Sequence, residues 1–164
     1  MLLFENSHIT PAVAYATGGS ARSGDWVSLE NYGRVGILVE IFQGAANTTA
    51  ITVDVAVNTS GGSESTGITM ANFWYCADVT VGTTADTWTK GTAAASITTS
   101  ATGSGTSYYW IEISADELNS MGTAGVDYNS VQVELALSSA SNYVHAVYFL
   151  LEPRYAEDLT ISPQ

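Results

Sequence analysis

Two histidines, one cysteine and sixteen carboxylates are the first side chains to consider for proton transfer, metal binding or nucleophilic attack in this 164-residue chain. His8 and His145 stand far apart, and no HxH, HxxxH or Cys/His spacing joins them. A metal centre needs several convergent N, O or S ligands, and a general base needs a positioned partner, so both histidines read as structural. Cys76 follows Phe73-Trp74-Tyr75 and has no basic neighbour in sequence to stabilise a thiolate, so it reads as a buried, unreactive side chain. Glu40, Asp54, Glu112 and Glu134 fall in apolar, strand-like stretches. Two carboxylates at the right separation suffice for glycoside hydrolysis. Charged residues on strands are ordinarily there because one sheet face meets water, and that is the expectation here. The glycine-rich stretches carry no lysine and open no helix, which excludes a phosphate loop; Asp/Asn-rich loops leave calcium binding open, without a DxDxDG signature. No constellation of nucleophile, base and orienting group can be assembled, so the chain is expected to be no enzyme and to need no cofactor.

The aromatic side chains are the larger signal. Trp74, Trp88, Trp110 and the nine tyrosines exceed what one small core needs. Such residues pack a core, fill a subunit interface or form a platform for a sugar. Charge narrows the partners. Arg22, Arg34, Lys90 and Arg154 are the only basic residues, and the formal net charge is −12. Phosphate contacts need lysine and arginine, so nucleic acid and anionic membranes are not expected partners. Met1-Leu2-Leu3-Phe4 is followed at once by Glu5 and Asn6, which leaves no apolar core for a secretory signal, and no apolar run approaches the roughly 20 residues of a membrane span.

The positioning elements are strands. Residues 26–43, WVSLENYGRVGILVEIFQ, read as a short strand, a turn at Asn31-Tyr32-Gly33 and a long central strand. Its apolar run Val35–Phe42 fits a strand covered on both faces. Residues 50–57 alternate: Ile51, Val53, Val55 and Val57 share one face, and Thr52, Asp54 and Ala56 the other, which should be solvated. These two strands are expected to pair as a hairpin. Residues 58–67 form a polar loop. Among the adjacent Phe73, Trp74 and Tyr75, at least one must leave the core face. Short strands are expected around 86–89 and 96–99, and longer ones at 107–113, 130–137 and 143–151. Ser114 and Glu117 have capping-box spacing for one helical turn, closed by Gly122 and Gly125. Roughly eight to ten strands with almost no helix predict an all-β fold, an antiparallel β-sandwich or jelly-roll-like single domain. The expected organisation is an N-terminal arm or edge strand over 1–24, a sandwich over 25–152 and a C-terminal arm over 153–164.

Four segments carry a resemblance: Trp26-Val27-Ser28, the turn at Gly44, the Ile111–Leu118 stretch IEISADEL, and Pro153-Arg154-Tyr155. Spread over about residues 25–155, and leaving 58–105 unmatched, this layout resembles small all-β structural proteins of tailed bacteriophages and prophages. The resemblance implies a virion structural protein, above all a capsid decoration (cement) protein on the exterior of the head. Its partners would be the major capsid protein and itself, as a homotrimer, assembled in the host cytoplasm where the lack of disulfides is no handicap. The interface candidates are Trp26, Tyr32, Trp74, Tyr109, Tyr148, Arg154 and Tyr155. A carbohydrate-binding module, or a tail, fibre or connector component, is the alternative.

Overall fold

The computed structural model describes residues 7–17, 19–44, 47–79, 87–100 and 105–154. The strands are β1 (Ser7–Thr17), β2 (Arg22–Ser23), β3 (Val27–Ser28), β4 (Tyr32–Gln43), β5 (Thr48–Ala56), β6 (Asn72–Val79), β7 (Thr89–Lys90), β8 (Ile97–Ser100), β9 (Gly105–Ser114), β10 (Ser130–Leu137) and β11 (Tyr143–Pro153). One helical turn, α1 (Leu118–Met121), separates β9 from β10. Two antiparallel sheets form the sandwich. The first has the order β1–β11–β4–β9–β6–β7; the second runs β2–β10–β5–β8, with β3 also paired to β10.

The period-two pattern explains the packing. On the first sheet Val35, Ile37, Val39 and Ile41 of β4, Ile111 and Ile113 of β9, and Val144, Ala146 and Tyr148 of β11 turn inward. Ile51, Val53 and Val55 of β5 and Val131, Val133 and Leu135 of β10 oppose them. All of these are buried, and each fully buried aliphatic side chain contributes roughly 1.5–3 kcal/mol of transfer free energy.

The expected hairpin between residues 35–42 and 50–57 does not form. β4 lies between β11 and β9, whereas β5 crosses to the second sheet and pairs with β10 and β8. After β4, only the β6–β7 connection stays within one sheet. Neighbours in the sheets are therefore distant in sequence, the arrangement of a jelly-roll-like sandwich. A second expectation also fails. Asp54 and Ala56, assigned to a solvated face, are buried. The following loop runs beside β5: Val55 and Ser65 exchange backbone hydrogen bonds, Ile68 N–H donates to Val53 O, and Gly67 N–H donates to Asp54 Oδ1 at 2.7 Å. At α1 the N-cap is Glu117 rather than Ser114, and no side chain caps it; the Glu117 carboxylate accepts from Ser114 N–H at 3.2 Å.

Residues 7–17 form the edge strand of the first sheet, paired to β11. Two of the four segments that carry the resemblance, Ile111–Leu118 and Pro153-Arg154, meet at one end of the sandwich, while Gly44 follows β4 at the other end, beside Ser141. Arg154 pairs with Asp116 at 3.6 Å, and its N–H donates to Asn31 O at 2.9 Å. Ala115 N–H donates to Gly33 O at 2.8 Å, and Arg34 pairs with Glu152 at 2.9 Å. These contacts clasp the β3–β4 turn, the β9–α1 corner and the end of β11 together.

Candidate functional site

The outer face of the first sheet is where the strands leave aromatic side chains unburied. Strand register lines up Pro11, Val147, Leu38, Trp110, Trp74 and Lys90 in one row across all six strands. One strand pair further along lies the row Ile9, Phe149, Gly36, Glu112 and Asn72. On the other side lie His145, Glu40 and Tyr108.

At the β9–β6–β7 side of this face, Leu38, Trp74, Trp88 and Trp110 line an apolar cleft of about 320 Å³. Trp88 is 48% exposed, so its indole is not core. Trp110 is held from two sides. Its Nε1–H donates to Glu112 Oε1 at 2.9 Å, and its ring meets Phe149 edge-on at 5.4 Å between centroids. The ring lies over Gly36, where a Cβ would fall within the indole, so glycine is required by close approach. Lys90 Nζ sits 5.6 Å from the centre of the Trp74 ring, a cation–π contact, and makes no ion pair among the described residues.

A second aromatic group occupies the β1–β11–β4 side. Tyr15 stacks on Tyr143 at 5.5 Å, and Tyr143 meets Phe42 at 5.9 Å. Tyr15 is 69% and Phe42 39% exposed, so this cluster also faces solvent.

The residues singled out in the sequence divide sharply. Trp74 belongs to the cleft. Tyr109 and Tyr148 both turn into the core, Tyr148 with no exposed surface and Tyr109 lining a cleft with Phe73 and Tyr75. Trp26 is half-buried beside the turn at Gly61, and Tyr32 packs against the core with its hydroxyl 3.3 Å from His8 Nδ1. Arg154 serves the clasp, and Tyr155 lies outside the described residues. Trp88, Trp110 and the tyrosines, Tyr15 and Tyr143 among them, stand out in the sequence as surplus aromatics, whereas nothing in it singles out Leu38 and Phe42 or puts Lys90 beside Trp74. The signal for Leu38, Phe42 and Tyr143 is the second face of β4 and β11, which keeps apolar side chains at Leu38, Phe42, Val147 and Phe149 where a solvated strand would carry polar ones.

The four strand carboxylates do not converge. Glu40 accepts from Tyr108 Oη–H at 3.2 Å, and Glu112 serves Trp110 and lies 3.9 Å from Arg34. Asp54 and Glu134 belong to the other sheet. Burial raises the Asp54 carboxyl above the usual carboxylate range, and the Gly67 N–H opposes that shift.

No protein-family model matches the chain, and no curated protein matches it. Among solved structures it is similar to an SPBc2 prophage-derived protein, YomS, at 12% identity over 88% of this chain and 93% of that one, with a TM-score of 0.43. It is similar to a carbohydrate-binding module from glycoside hydrolase family 9 (Cel9A) of Ruminococcus flavefaciens, at 12% identity over 90% and 98% of the chains, with a TM-score of 0.33. A third similarity is to TmCBM61, solved with β-1,4-galactotriose, at 10% identity over 89% and 88%, with a TM-score of 0.29. Likenesses of this size assign neither a family nor an activity.

Proposed function

We propose that the chain is a non-enzymatic structural protein of a tailed-bacteriophage particle, a decoration protein that binds the head shell and reinforces it. The observation that carries this reading is the Tyr15–Tyr143–Phe42 cluster, an aromatic patch presented to solvent on a sheet face rather than packed into the core. Exposed apolar patches of this kind mark protein–protein contacts, in which tyrosine and phenylalanine are enriched. The sequence resemblance supplies the particle context. The partner is the major capsid protein, and self-association as a homotrimer would repeat the patch around a local threefold axis of the shell. Binding the assembled shell and not its free subunits stabilises the shell by mass action. The strongly acidic surface, net −12, suits a place on the exterior, away from packaged nucleic acid.

Co-sedimentation with emptied, expanded heads tests the patch. The unaltered protein should pellet with heads, and the Tyr15→Ser/Phe42→Ser double variant should bind at least about tenfold more weakly with unchanged circular dichroism. A protein that stays in the supernatant, or a double variant that binds equally well, would contradict the reading. A second reading, a carbohydrate-binding component of a tail or fibre, is favoured by one specific feature, the three-tryptophan cleft on the same face.

A further inference from the structure

We propose that the cleft of Leu38, Trp74, Trp88 and Trp110 is a binding site for a neutral saccharide, with one pyranose ring seated against the indoles. The site is distinct from the Tyr15 patch, and it deepens the second reading to named residues and a ligand class. The cleft would serve a free protein and a virion component alike, so loss of glycan binding and absence from particles are separate outcomes.

Three observations select the ligand. The first is size and shape. About 320 Å³ lies near the lower end of small-ligand sites, which run from roughly 300 to 1,000 Å³, and accommodates about one ring. The second is rigidity. The Glu112 hydrogen bond, the Phe149 edge contact and the missing side chain at Gly36 fix the Trp110 ring before any ligand arrives. Such preorganisation lowers the ordering cost of binding. The third is charge. Lys90 stands at the β7 side of the row, while Glu112 and Glu40 occupy the flanking rows on β9 and β4. A cationic ligand meets Lys90. An anionic one meets Glu40, Glu112 and the field of a chain carrying −12.

A neutral, hydroxyl-rich molecule meets neither penalty. Its hydroxyls donate to the carboxylates and accept from the ammonium. A pyranose adds what the indoles require, because its axial C–H bonds make one face apolar while its hydroxyls point outward at the edge. An acyl chain or an apolar peptide would cover the indoles but strip water from the charged rim without replacing its hydrogen bonds.

The test is titration of the full chain with neutral α- and β-linked hexose oligosaccharides, and with a hexuronate oligomer as the charged control. Tryptophan fluorescence and calorimetry report binding. At least one neutral oligosaccharide should give a saturable change. Trp110→Ala should weaken it about tenfold or more. Trp88→Ala, at an exposed position that does not support the core, should weaken it as well, which covers the case in which Trp110→Ala fails to fold. Glu64→Gln, on the loop beside the opposite sheet, should leave it unchanged. Silence from every neutral oligosaccharide up to roughly 10 mM would overturn the assignment. So would binding that survives both tryptophan changes, or binding confined to the hexuronate and lost in Lys90→Met.

Discussion

Tyr148 spans the two sheets. Its ring is buried on β11, and its hydroxyl accepts the Val133 N–H of β10 at 2.8 Å. That N–H needs a side-chain partner because the edge of the second sheet is broken there. β2 pairs with residues 134–135 and β3 with 130–131, and the intervening Gly24 gives its N–H to the Val133 carbonyl. Gly24 also leaves the space into which the Tyr148 hydroxyl reaches: an added Cβ would lie 2.9 Å from that oxygen. Burial pushes the hydroxyl far above its ordinary titration range, so it remains protonated wherever the protein is folded. Tyr148→Phe keeps the ring and leaves a buried N–H without its partner. The expected loss is about 1–3 kcal/mol, read as a lower urea midpoint at unchanged slope. An unchanged midpoint would show that water or a shifted Gly24 takes over the N–H.

The loop between β5 and β6 shows the same economy among elements. Polar and glycine-rich, it still supplies backbone partners along the β5 edge and buries Ile68 and Met70. Its contact with Asp54 has a pH consequence. A carboxyl whose pKa is raised on folding binds its proton more tightly in the folded state. Stability therefore falls as pH rises from the unfolded value of about 4 through the raised folded value. Asp54→Asn should preserve the acceptor for Gly67 N–H and flatten that fall, so the two proteins diverge in melting temperature as pH increases. Parallel curves would contradict the role given to Asp54.

Much of this level was legible in the sequence. Period-two alternation located β5 and β10, a continuous apolar run located β11, and the row Phe73-Trp74-Tyr75 required at least one aromatic to leave the core face, which Trp74 does. The pairing of strands was not legible. β4 and β5 are adjacent in the chain, but alternation tells which face is buried and not which sheet receives the strand. Nor could composition reveal that a glycine–serine loop covers Asp54. The tryptophan cleft stayed hidden for a related reason. Leu38, Trp110, Trp74 and Lys90 come from four strands, and only register makes them neighbours.

At the scale of the whole molecule, one sheet face carries both aromatic patches. The tyrosine–phenylalanine cluster lies on its β1–β11–β4 side and the tryptophan cleft on its β9–β6–β7 side. The clasp around Arg154, Asp116 and Arg34 fixes one end of the sandwich, where the β9–α1 corner meets the end of β11. A sandwich with one polar clasp and two exposed aromatic patches on a single face has the features that the proposed attachment to a surface requires. The central claim, that this surface is a phage head, is tested most directly by the copy number of the chain per purified particle. Quantitative mass spectrometry against the major capsid protein gives it. A ratio of about one chain per capsid subunit is the predicted result, because a decoration protein follows the symmetry of the shell. Absence from particles, or only a few copies in each, would contradict the decoration reading; a few copies would move the chain to the tail or connector.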